Sequence, residues 1–226
     1  MKRTKLKARQ LPDYTRGEEI FNMVSHIVGG GAGVIICALC VVKAFLNHDA
    51  YQIVAAFIYG LSMVILYTVS SVYHGLKPPM GKKVMQIIDH CSIFILIAGT
   101  YTPITLVSLR EYNPYLGWTV FGVVWGVSAL GITLNAIDLK MYSVFSVICY
   151  LVQGWCIVFT GKAAIEAITM KGFAWLLYGG IAYTLGAVLY GIAAKKTVRY
   201  MHSVFHIFVV IGSLLQFVGI LLYVLV

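Results

Sequence analysis

YQIVAAFIYGLSMVILYTVSSVYHG, residues 51–75, decides the fold. It contains no Asp, Glu, Lys or Arg. At about 1.5 Å of rise per residue, a helix of this length crosses the hydrocarbon core of a bilayer, about 30 Å thick. Inside that core every backbone N–H and C=O must be satisfied within the segment, which favours a helix over any open strand. With this span taken as 51–76, the same reading extends outward to 22–46, 84–109, 114–137, 142–161, 172–194 and 201–226. Between them lie breakers and charges: Asn47-His48-Asp49, Lys77-Pro78-Pro79, Arg110-Glu111 before Pro114, Asp138 to Lys140, Lys162 to Lys171 and Lys195 to Arg199. The expected fold is an all-α integral membrane protein, a seven-transmembrane helix bundle over residues 22–226 behind a basic tail of residues 1–21.

Composition agrees. Of the 226 residues, 60% are hydrophobic and 11% charged, against about 45–50% and 25% in a soluble domain. The net charge of +9 comes from Lys and Arg in the short connections, a pattern of loop anchors and not of a nucleic-acid groove. Taking alternate connections, 13 of the 17 basic residues fall on the side of the N-terminal tail and 4 on the other. The positive-inside rule then predicts a cytoplasmic N-terminus and an extracytoplasmic C-terminus. The basic, polar start has no apolar core of its own, so no cleavable signal peptide is expected. Cys37, Cys40, Cys91, Cys149 and Cys156 all lie in apolar runs and read as packing groups. Gly29 with Gly33, and Gly122 with Gly126, have the spacing that lets helices approach closely. Pro103 is expected to kink the third span.

Ionisable groups within a bilayer are costly and mark function. Ser70 and His74 end the second span, Asp89 and His90 lie early in the third, His202 and His206 begin the seventh, and Glu19, Asn22 and His26 begin the first. The alternating direction of the spans brings all of them to one depth at the cytoplasmic end. His202 and His206, four residues apart, share a helix face about 6 Å apart along the axis, which suits two corners of a tetrahedral metal. Ser70 and His74 repeat the spacing. Three imidazoles from His74, His202 and His206 leave one corner for water, and Asp89 is the carboxylate to take its proton. The bland alternatives are interfacial histidines and an Asp89 that packs between helices or pairs with Lys82 or Lys83. Ser92 shares the Asp89 face. Glu19, Asn22 and His26 either cap the site or form the wet start of the first helix.

The stretches GEEIFNMVSHIVGGGAG (17–33), SSVYHG (70–75), IDHCSIFILIAGTYTP (88–103) and MHSVFHIFV (201–209) resemble the hemolysin III family. That family is the short bacterial branch of the superfamily of progestin and adipoQ receptors, more distantly similar to the alkaline ceramidases. The resemblance covers nearly the whole chain. It implies a multi-pass protein of a bacterial cell membrane, with Zn²⁺ bound by His74, His202 and His206, Asp89 holding a water and Ser70 beside the site as catalytic residues. It also implies a lipid or lipid-like substrate, cleaved at an amide or ester bond. Two alternatives stand beside the hydrolase: a sensor of lipid state with a structural zinc, and a cytolysin, as the family name says. A monomeric pore needs a polar lining, and the later spans offer little beyond Asn135, Gln153 and Gln216. No nucleic-acid partner is expected.

Overall fold

The computed structural model describes residues 3–196 and 198–226, and for 193–196 the backbone alone. The side chains of Lys2, Lys195 and Lys196, three of the residues behind the expected orientation, lie outside the described part. A single 3₁₀ turn, Leu6–Ala8, precedes the helices α1 Arg16–Leu46, α2 Ala50–Gly75, α3 Pro79–Pro103, α4 Pro114–Asp138, α5 Ser143–Gly154, α6 Cys156–Lys196 and α7 Met201–Tyr223. No strand occurs among the described residues.

Local chemistry sets the helix ends. Thr15 caps α1 in a reciprocal box with Glu18, two orphan donors satisfied at once. This moves the start of the first helix to residue 16, ahead of the apolar run at 22. Asp49 caps α2 through the amides of Tyr51 and Gln52. α3 starts at Pro79, whose missing N–H costs nothing in a first turn, and Asn113 with Pro114 opens α4 in the same way. At Pro103 the expected disturbance takes a specific form, a π-helical turn over Ile104–Leu109. Thr102 and Thr105 donate their hydroxyls to the carbonyls of Ala98 and Tyr101 there.

Among the described residues six helical stretches are long and apolar enough to cross a membrane. The fifth of these, Ser143–Ile192, covers 50 residues. It covers nearly all of the two expected spans 142–161 and 172–194, and the backbone breaks inside it at Gly161 (φ 9°, ψ −84°) and Thr169 (φ 64°, ψ 161°). A further interruption falls at Trp155, between α5 and α6.

The helices close into a bundle: α1 packs on α2 and α7, α2 on α3, α3 on α4, and α6 on α7. A Cβ at Gly29 would meet the Tyr67 ring at 2.8 Å and one at Gly33 would meet Met63 at 3.4 Å, so this glycine pair does bring α1 close to α2. Gly122 and Gly126 differ from expectation. Nothing lies within 4 Å of a Cβ built at either, because they sit on the outer face of α4. All five cysteines are free, with Cys40, Cys91 and Cys149 buried.

Candidate metal centre

α1, α2 and α7 converge at the end of the bundle where α1 and α7 start and α2 finishes. His74, His202 and His206 each turn a ring nitrogen into this convergence, and these three atoms lie within 4.8 Å of one another. His206 Nε2 and His202 Nε2 are 3.1 Å apart. In a tetrahedral site with metal–nitrogen distances of about 2.0–2.1 Å, ligand atoms are separated by about 3.3 Å, close to what is seen. The three histidines could hold a metal ion.

Neighbouring groups fix the rings. His74 Nδ1 lies 2.6 Å from Glu19 Oε2. A carboxylate only accepts, so Nδ1 carries the hydrogen and Nε2 keeps its lone pair. That Nε2 is buried and has no protein partner, an arrangement rarely left unused in a folded chain. His206 Nδ1 lies 3.2 Å from the carbonyl oxygen of Asn22 and 3.4 Å from Ser25 Oγ. The carbonyl again selects the tautomer whose Nε2 is free. The Asn22 side chain is held in turn, since Ser203 donates to its Oδ1 at 2.6 Å. Orientation of a ligating imidazole through its second nitrogen is the usual device of protein metal sites.

Of the two readings of the first helix, geometry favours the cap. Glu19 joins His74 and, through its other oxygen, Lys82 at 2.8 Å. Lys82 therefore pairs with Glu19 and not with Asp89, while Lys83 donates to the backbone of Lys7. Asp89 has Ser70 as a side-chain neighbour, and Ser70 stands one helical turn before His74 on α2. Asp89 is not one of the three clustered ligands. Ser92 donates to the backbone carbonyl of Asp89 at 2.6 Å and not to its carboxylate. His90 is not one of the three clustered ligands either; its carbonyl accepts from Tyr150. His26 stacks flat on His206, ring centroids 3.6 Å apart and planes 7° from parallel.

Sequence reasoning missed Tyr14 and the segment that carries it. Residues 3–15 lie across this end of the bundle: Thr4 N donates to Asp138, Arg9 to Gln86, and Arg199 to the Asp13 carbonyl. The Tyr14 ring stacks on His202 with centroids 5.1 Å apart. Burial, with the Tyr190 hydroxyl nearby, holds the Tyr14 phenol well above its ordinary pKa, so it is a neutral donor. The Thr-x-x-Glu box was readable in advance; nothing in the sequence pairs Tyr14 with His202.

Residues 14–217 match the model of the family described as Haemolysin-III related. The chain belongs to this family. Hemolysin-3 of Bacillus cereus is 35% identical over 208 residues, covering 92% of either chain. The Hemolysin-3 homolog of Bacillus subtilis (strain 168) is 33% identical and covers 93% of this chain and 96% of its own. At a greater distance, the human Monocyte to macrophage differentiation factor is 25% identical over 77% of this chain and 72% of its own length. A mammalian relative of this kind supports placing this hemolysin III protein in the superfamily of progestin and adipoQ receptors. All of the clustered histidines and Asp89 fall within the matched residues.

Proposed function

We propose that this hemolysin III protein is a zinc-dependent hydrolase of a lipid amide or ester, working at the cytoplasmic end of a seven-span bundle with its C-terminus outside the cell. Residues 1–21 form its cytoplasmic tail. The observation that carries the reading is the set of three Nε2 atoms: two are 3.1 Å apart, the third is buried without a partner, and Glu19 and Asn22 hold the rings of His74 and His206. His74, His202 and His206 would hold the ion. Zinc there supplies a Lewis acid that polarises a carbonyl and lowers the pKa of water toward about 7.

The chain's own residues do the rest. Asp89 accepts the proton of the attacking water as the new C–O bond forms at the carbonyl carbon. It then returns that proton to the leaving nitrogen or oxygen as the old bond breaks. Ser70 orients the Asp89 carboxyl and offers a hydroxyl to the substrate. Tyr14 and the segment before it cover the histidines and limit access of bulk water.

A monomeric pore is not favoured, because the later helices carry few polar side chains, and Asn135 and the amide nitrogen of Gln153 are engaged inside the bundle. Ser146 donates to Asn135 at 2.6 Å, and Gln153 donates to the Val124 carbonyl and Ser128. Turnover on a panel of lipid amides and esters in vesicles tests the hydrolase. With excess zinc, Asp89→Asn is expected to keep bound metal and to lose about 10²–10⁴-fold in rate, the usual share of a positioned acid or base. Full activity of Asp89→Asn with zinc bound would remove Asp89 from the chemistry. Absence of turnover in the unaltered protein would favour the sensor with a structural zinc.

A further inference from the structure

A groove of about 560 Å³ runs along the outer flank of the bundle between α1 and α2. Its walls are apolar, built among others from Ile27, Val34, Val64 and Val72, and its open floor exists because Gly30 and Gly31 carry no side chain. Nothing lies within 4 Å of a Cβ placed at Gly31. The lining runs from Met23 to Val34 along α1, which at about 1.5 Å per residue is about 16 Å, close to half of a bilayer core of about 30 Å. One leaflet's acyl chain has that reach. Around it α1 exposes Val24, Val28 and Ile35, each more than 40% exposed, as lipid-facing residues would be.

Four polar side chains, His26, Tyr67, Thr68 and Ser71, interrupt the apolar lining, and of these only His26 is buried without a partner. His26 is 3% exposed, and neither of its ring nitrogens has a protein partner. A buried, doubly unsatisfied imidazole is a standing cost that a hydrogen bond to a bound ligand removes. One face of the same ring lies against His206, so His26 separates the groove from the histidine cluster by a single ring thickness.

We propose that this groove is the seat of a bilayer lipid, its acyl chain lying along Gly30 and Gly31 and its amide, ester or hydroxyl group hydrogen-bonded to His26. Naming that lipid as the substrate, arriving sideways from the membrane, rests on the hydrolase reading; the binding itself does not.

The test uses a long-chain N-acyl amide bearing a diazirine on its chain, irradiated with the full-length protein in phosphatidylcholine vesicles. Labelled peptides, bound zinc and turnover are then measured together. Label is expected in residues 23–34 and 64–76, the two stretches that line the groove. Gly31→Phe fills the groove with a side chain that meets no other residue at its Cβ. It is expected to lower the label more than tenfold with zinc unchanged, because the phenyl ring occupies the space the acyl chain would fill. His26→Phe keeps the stack on His206 but offers no nitrogen, and is expected to lower the label about 3- to 10-fold, the worth of one hydrogen bond. Label spread over all outer helices, or unmoved by Gly31→Phe in zinc-loaded protein, would overturn the groove. Turnover unchanged in Gly31→Phe would overturn the sideways route of the substrate. Groove labelling that Gly31→Phe abolishes, in a protein without turnover, would overturn the hydrolase and leave the lipid seat standing.

Discussion

Glu19 is shared by two partners on different helices, His74 of α2 and Lys82 of α3. Replacing it by alanine frees the His74 ring to rotate and leaves the ammonium of Lys82, whose side chain is only 12% exposed, without its counter-charge. Zinc affinity of Glu19→Ala is expected to fall about 10–100-fold, the range for loss of a group that orients a ligand. His206→Ala, which removes a ligand outright, is expected to lose more, and His48→Ala at the far end of α1 to lose nothing. Chelator competition on purified protein gives all three values. Equal loss in His48→Ala and His206→Ala would place the metal elsewhere. The ligand candidates themselves were legible, since the alternating direction of the spans brings His74, His202 and His206 to one inferred depth. Their orienting partners were not. That His206 leans on a main-chain carbonyl of Asn22 is invisible in any side-chain pattern, and the pairing of Lys82 with Glu19, 63 positions away, could not be chosen from sequence over Asp89, seven positions away on the same helix.

Among the elements, apolar runs located the helices well, and caps corrected their ends where Thr15, Asp49 and Asn113 carried readable signals. The N-terminal segment escaped because its contacts join residues 134 positions apart, as Thr4 and Asp138 do. Periodicity says nothing about such pairs. This segment is held at a few points, and Asp138 is the firmest, accepting from the amides of Thr4, Lys140 and Met141. A hydrogen bond to a charged acceptor is worth about 1.5–3 kcal/mol, so Asp138→Ala should raise the open fraction of the segment roughly tenfold or more. Tryptic cleavage after Lys5, Lys7 and Arg9, followed by mass spectrometry, should quicken by the same factor while cleavage elsewhere stays as before. Unchanged rates at these three bonds would mean that Thr4 and Asp138 do not secure the segment.

At the scale of the whole molecule, the proposed topology turns on Ser143–Ile192. α4 ends at Asp138, beside the N-terminal segment, and α7 begins at Met201, beside the same segment through Tyr14 and His202. The stretch between them therefore leaves one end of the bundle and comes back to it. Its breaks at Gly161 and Thr169 fall where such a return would turn. Glu166, between them, meets Tyr112 at the end of α3's continuation, and Arg110 stacks over Tyr51 at the start of α2. That is the end opposite the histidines, where Lys43 of α1 and Gln52 of α2 receive the C-terminus, accepted by Leu221 and Val226 carbonyls. Seven crossings follow from a there-and-back path, and six would follow from a single one. Reporter fusions at residues 80, 140, 165 and 226 separate the two. The expected result is 80 and 140 in the cytoplasm, with 165 and 226 outside. Were 140 and 165 on the same side, residues 143–192 would not cross and return. α7 would then have to enter from the opposite face, and His202 and His206 could not share a depth with His74. Because the proposed zinc site needs that shared depth, the fusion at 165 tests the candidate metal centre as directly as it tests the span count.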